Sequence, residues 1–257
     1  MLPIGDDNSD RIRTPYVNYL LIAANILVFV FLQQLGQNLE FTYSYSTVPG
    51  EILTGKDIVT HGRTIVDPIS GEKFYLPGLG VTNIPVWFTL ITSMFMHGGF
   101  AHLGGNMLYL WIFGDNIENR LGHLRYFFFY FIVGIIASLT HVFAEAALGH
   151  NMLVPSLGAS GAISGVLGAY VLLYPTRRVN VFFGFFLLAV PAVIVLGLWI
   201  VFQVLNGMGT LGGQEAGSVA YAAHIGGFFA GLILIKFFDP GKTAQEERVY
   251  RRRRQFF

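Results

Sequence analysis

The chain has 257 residues, of which 53% are hydrophobic and 12% charged, with a net charge of +1 and a mean hydropathy of +0.56. This is too apolar for an ordinary soluble domain and reads as a polytopic membrane protein; its basic residues are scattered between apolar runs rather than gathered on a face, which argues against nucleic acid as a partner. The absence of cysteine excludes disulfides, thiolate metal sites and a thiol nucleophile, leaving hydroxyls, amines and carboxylates.

A hydrocarbon core about 30 Å thick needs roughly 20 apolar residues per helix. Six segments approach that length, near 16–36, 101–120, 124–147, 160–175, 179–206 and 218–238. The predicted fold is all-α, one membrane domain over 16–240 between a short N-terminus, 1–15, and a basic tail, 241–257. The first segment follows Arg11 and Arg13, is too long for a signal-peptide core and has no small-residue cleavage site after it, so it is expected to stay as an anchor. A polar loop rich in Gly, Pro and Thr then runs from 37 to 83. The apolar stretch after it, from Pro85 to Met96, is short for a span and suits an interfacial or re-entrant element.

With six crossings, all of the 16 Lys and Arg except Lys56, Arg63 and Lys73 fall on one side. The positive-inside rule then puts both termini in the cytoplasm and the long first loop outside, an arrangement expected at the plasma membrane. A seventh crossing spoils this asymmetry. The clusters Tyr126–Tyr130 and Phe182–Phe186 beside cytoplasmic loops read as membrane-interface belts. The run Arg251 to Arg254 adds attraction to anionic lipids. No internal repeat supports an inverted-repeat transporter.

The chemistry centres on Gly158-Ala159-Ser160-Gly161, a serine among small residues at the head of the fourth span. Taken alone, it is either a helix-packing contact or a nucleophile, and a serine hydroxyl attacks only if a base takes its proton. His224 stands well inside the sixth span, where an ionisable group marks a functional site by default. Gly227 and Gly231 on that span, with Gly161, Ser164, Gly165 and Gly168 on the fourth, form small-residue faces that allow close approach. Ser160 lies about 25 Å of helix from Arg177, and His224 about 18 Å from Lys236, so both belong to the outer half of the bilayer. On the second span, His102 and Asn106 share a face at i, i+4 spacing and offer oxyanion donors, to which the Ser160 N–H at a helix start adds another.

Three motifs in this order, His102-x-x-x-Asn106, Gly158-x-Ser160-Gly161 and Ala223-His224-x-Gly226-Gly227-x-x-x-Gly231, with Glu118-x-Arg120 after the second span, resemble the rhomboid intramembrane serine proteases over roughly residues 85–240. The resemblance implies a six-helix bundle around a water-filled cavity and a Ser160–His224 dyad without an acidic third member. It also implies His102, Asn106 and the Ser160 amide as oxyanion stabilisers, and hydrolysis of a peptide bond in or beside a substrate's transmembrane helix, with no cofactor and no metal. The partners it implies are transmembrane protein substrates and the lipid bilayer. Many family members carry an aromatic residue four positions after the nucleophile; here it is Ser164, which leaves the partner of His224 open, with Tyr221 as a candidate. The rival reading is a catalytically inactive rhomboid-like protein that binds membrane helices.

Other polar groups have plainer expectations. His97 either shapes the site or sits at the interface. His141, Glu145 and His150 have spacing that a metal could use, but read better as a solvated helix end. Asp115 and Glu118, beside Arg120, suggest an interfacial ion pair. In the fifth span, Gly184, Pro191 and Gly197 suggest either a kinked lateral gate or simple packing.

Overall fold

The computed structural model describes residues 2–66, 71, 73–211 and 220–241. The basic run Arg251 to Arg254 lies outside the described residues, as do Lys242 and Arg248.

Most of the described chain is helical. Helix α1, Tyr16–Leu27, continues through a π turn over Val28–Leu32, where Gln34 and Leu35 at positive φ turn the chain. Short helices α2, Leu39–Ser44, and α3, Pro49–Thr54, precede a hairpin of β2, Arg63–Val66, and β3, Lys73–Leu76. Residues 86–95 form a short irregular helical segment around α4, Thr89–Thr92. Next, α5, Phe100–Tyr109, a π turn and α6, Asp115–Leu121, make one uninterrupted rod. Helix α7 covers His123–Leu148, α8 Ser160–Leu173, α9 Ala192–Leu211 and α10 Tyr221–Phe238. Among the described residues, α7 and α10 are long and apolar enough to cross a membrane.

Helix α8 is the centre of the bundle, with every residue from Gly161 to Tyr170 buried. Without a hydrophobic driving force in lipid, such packing relies on backbones coming close. A Cβ on Gly227 would overlap the Gly161 carbonyl, one on Gly231 the Gly165 carbonyl, and one on Gly168 the Phe228 carbonyl. The glycine faces of α8 and α10 therefore interlock backbone to backbone. Ala137 of α7 closes the third side, with its Cβ 2.8 Å from where one would stand on Gly161. The opposite face of α10, Phe229, Ile233 and Phe237, is exposed and apolar, as a lipid-facing surface requires.

Two corrections follow, the first in the fifth span. Residues 178–191 are a β-hairpin, β4, Arg178–Phe183, and β5, Phe186–Pro191, and the helix begins only at Ala192. Gly184 is its turn residue at φ +62, and Pro191 ends its second strand, so neither kinks a helix. The hairpin also carries the aromatic cluster Phe182–Phe186, whose rings at Phe182, Phe183, Phe185 and Phe186 are exposed. An apolar run reads alike as strand or helix, but Val179 and Val181 are fully buried while Asn180 between them is not, which is the period of two that marks a strand. The other correction is the strand β1, Leu2–Asp6, which pairs with β4 in an antiparallel sheet of order β1-β4-β5. The all-α expectation thus holds for the bundle but not for the N-terminal segment and two of the loops.

At this end of the bundle the ion pairs run between distant elements. Arg11 meets Asp115 and Arg177 meets Asp10, while Arg120 binds Asp239, just beyond α10, at 2.8 Å. Tyr170 donates to Asp6 at 2.5 Å, and Asn116 Nδ2 donates to the same carboxylate at 2.9 Å. Glu118 is fully buried and accepts from the Val17 and Asn18 N–H groups at 2.9 and 2.7 Å. Since Pro15 supplies no side-chain cap to α1, this carboxylate from α6 satisfies its orphan donors and complements its dipole. The expected local ion pair is thus a set of longer-range contacts: Asp115 with Arg11, Arg120 with Asp239, and Glu118 with the start of α1.

Candidate active site

Ser160 is the first residue of α8, and His224 lies in the first turn of α10. The glycine contacts that lock these helices bring His224 Nε2 to 2.8 Å from Ser160 Oγ, within hydrogen-bond reach. On the far side of the ring, Nδ1 is 2.7 Å from Oε1 of Gln203. The Trp199 indole, one turn earlier on α9, faces the imidazole with ring centroids 6.0 Å apart and planes inclined by 37°.

Ser164 does not touch the imidazole's role in this arrangement: its hydroxyl donates to the Ser160 carbonyl at 2.6 Å, stitching the first turn of α8. Tyr221, the candidate support, packs beside Gly207 instead. The ring and the polar partner that meet His224 both come from α9, and neither belongs to a sequence motif. A glutamine in an otherwise apolar helix was the available signal; Trp199 had none.

The donor pair converges on Gly158, two residues before Ser160. An ideal Cβ there would stand 2.8 Å from His102 Nε2 and 3.7 Å from Asn106 Nδ2, so both side chains crowd the loop leading to the serine. Gly158 has φ +122, a conformation that favours glycine, and its N–H donates to the Ser93 carbonyl at 2.8 Å. Asn106 Nδ2 donates to His97 Nε2 at 2.8 Å. His97 itself is wholly buried against His102, ring centroids 5.1 Å apart. Its backbone N–H and carbonyl are both held by the Gln33 side chain at 2.9 Å. His97 thus shapes this wall rather than sitting at an interface.

His141 is buried on α7, its Nδ1 3.7 Å from Glu145 Oε1, while the helix end beyond it, Ala146 to His150, is exposed. Among the described residues no three His, Asp or Glu side chains are grouped to hold a metal.

A sequence model of the Rhomboid domain matches residues 85–239, more than half of the chain. The chain belongs to the rhomboid family. Among its rhomboid relatives, "Rhomboid protein 1, mitochondrial" of Saccharomyces cerevisiae is 34% identical over 161 residues, 62% of this chain and 44% of that protein. "Rhomboid-like protein 11, chloroplastic" of Arabidopsis thaliana is 28% identical over 164 residues, 60% of this chain and 53% of that protein. "Rhomboid protease GluP" of Bacillus subtilis is 34% identical over 151 residues, 58% of this chain and 26% of that protein. The alignments span about half or less of the length of these rhomboid relatives. Rhomboids are membrane-embedded, but the organellar names among these relatives lend no support to the plasma membrane as the site of this one.

Proposed function

We propose that this rhomboid is an intramembrane serine endopeptidase that cleaves peptide bonds in or next to transmembrane helices of other membrane proteins. The observation that carries the reading is the 2.8 Å contact between Ser160 Oγ and His224 Nε2.

In this mechanism His224 takes the Ser160 proton as Oγ attacks the scissile carbonyl. The oxyanion develops beside Gly158, where His102, Asn106 and the Ser160 N–H at the start of α8 supply donors. Protonated His224 then delivers its proton to the leaving amine, and water resolves the acyl-enzyme. Helix α8 has 14 residues, about 21 Å of rise against a core of about 30 Å. With its C-terminal end at the interface marked by Arg177, its serine sits below the opposite surface, in reach of water through a cavity and of a substrate helix in the plane of the bilayer. A substrate's carbonyls are hydrogen-bonded within its helix, so the cleaved segment must unwind; Gly, Pro and small residues near the cleavage point favour that.

The proposed topology has six crossings, with the β1-β4-β5 sheet, Arg177 and Arg178 on the positively charged side, and Lys56, Arg63 and Lys73 on the other. The test is cleavage of a single-span substrate by purified protein in liposomes, compared with Ser160→Ala and His224→Ala. Both variants should fall to background. Equal cleavage by all three removes the dyad, and wild-type protein that neither cleaves nor reacts at Ser160 with a fluorophosphonate supports the helix-binding alternative.

A further inference from the structure

We infer that Gln203 is a third member of this site, a positioning residue that holds His224 in the tautomer and orientation a general base requires. The inference rests on the protease reading above.

The hydrogen-bond chemistry is asymmetric. Gln203 Oε1 can only accept, so across 2.7 Å it takes a hydrogen bond from Nδ1. A neutral imidazole carries one proton; placing it on Nδ1 leaves the lone pair on Nε2, which faces Ser160 Oγ at 2.8 Å. The opposite tautomer has Nε2–H pointing at the serine and cannot take its proton. Gln203 therefore does what the acidic residue does in hydroxyl-nucleophile triads. Its side chain is buried and reaches His224 from a separate helix, so it fixes the ring independently of α10's own rotamer preferences.

Trp199 adds to this from the same helix. At i and i+4, Trp199 and Gln203 share one face of α9, giving the imidazole a tilted indole neighbour on one side and an edge hydrogen bond at Nδ1. Helix α8 contributes no such support, because the Ser164 hydroxyl is committed to the Ser160 carbonyl. An amide suits the setting better than a carboxylate: a resting buried charge is costly in a membrane, whereas the neutral amide becomes a charge-assisted acceptor only while the imidazolium exists. The proton balance is unchanged: Oγ–H passes to Nε2, Nδ1 keeps its hydrogen, Gln203 stays neutral, and Nε2–H leaves on the amine.

The experiment measures kcat and KM for a single-span substrate in liposomes, with fluorophosphonate labelling of Ser160, for wild type, Gln203→Met, Gln203→Glu and Ser160→Ala. Methionine keeps length and volume without the acceptor, and should lower kcat and the labelling rate together by about 10- to 100-fold with KM unchanged, a fraction of what a general base contributes. Glutamate keeps Oε1 and should retain more activity than methionine. A packing role predicts the reverse order, since methionine fits an apolar contact and a buried carboxylate does not, and that result overturns the inference. Unchanged kcat and labelling in Gln203→Met overturn it even if Gln203→Glu fails to fold. If Ser160→Ala still cleaves, the protease reading itself fails; if Ser160→Ala is inactive and Gln203→Met is normal, only the role of Gln203 fails.

Discussion

Gly227 lies so close to Gly161 that a Cβ on it would overlap the Gly161 carbonyl oxygen, and three residues before Gly227 on the same helix is His224. The distance between base and nucleophile is therefore set by a backbone contact between α8 and α10, which has no flexible side chain to absorb a change.

Gly227→Ala should force the two helices apart. The expected cost is about 1–3 kcal/mol, typical of overpacking, with a loss of cleavage larger than the loss of folded protein. Gly197→Ala is the control, since nothing lies within 4 Å of a Cβ there; it should be neutral or slightly stabilising. Thermal unfolding in detergent and a cleavage assay check both. Wild-type cleavage by Gly227→Ala would show that the interlock does not set the site.

Gly158→Ala should impair turnover while leaving the bundle folded. The substitution strains a backbone at φ +122 and places a methyl 2.8 Å from His102 Nε2, so the donor wall must move. A kcat reduced about 10-fold or more is expected, in keeping with the value of a single oxyanion donor. A drop in thermal stability with unchanged kcat would instead assign Gly158 to folding alone.

Glu118→Gln tests the clamp on α1. The amide keeps one acceptor oxygen in place of two and loses the charge, so one of the Val17 and Asn18 N–H groups is left unpaired. The expected destabilisation is about 1–3 kcal/mol, and Glu118→Ala should cost more. Thermal midpoints equal to wild type for both would rule out a structural role for the carboxylate.

Glu51 gives a pH-dependent prediction. Its side chain is buried on α3; Oε1 accepts from the Ile58 N–H at 3.1 Å, while Oε2 has no partner among the described residues. Burial, aided by Asp57, pushes its carboxyl above the ordinary value of 4.5, against the Ile58 hydrogen bond. The folded chain thus holds this proton to higher pH than the unfolded chain. That contribution to stability is fully present below the unfolded value and is lost as pH rises through the folded one. Glu51→Gln should raise the unfolding midpoint at about pH 8 by the equivalent of about 1 kcal/mol, with the gain vanishing near about pH 4. A gain of the same size at both pH values would exclude titration of Glu51 as its origin.

Some of this molecule was legible in the chain because single residues contradicted their surroundings. Ser160 and His224 are polar groups flanked by glycines in apolar segments, and glycine spacing announces where helices can touch. The same rule applied to Gln203 in α9, but an isolated glutamine forms no motif, and its partner stands 21 residues away in sequence. The fifth span departs from its expected helix for a different reason. Hydropathy summed over a window does not distinguish a lipid-facing helix from an apolar hairpin, and the alternation at Val179 and Val181 is only two residues deep.

The sequence by itself determined the membrane character and most of the helices, because these follow from composition and length, while the pairing of Ser160 with His224 was what the family resemblance implied. Only the tertiary structure decided what holds the imidazole, what caps α1 and what pairs with the N-terminal strand. In each case the deciding partner comes from a distant segment: Gln203 for His224, Glu118 for Val17 and Asn18, and Val179 to Phe182 for the strand Leu2–Asp6. A hydrogen bond is satisfied by geometry alone, and no local pattern encodes which remote donor or acceptor the packed helices will bring into reach.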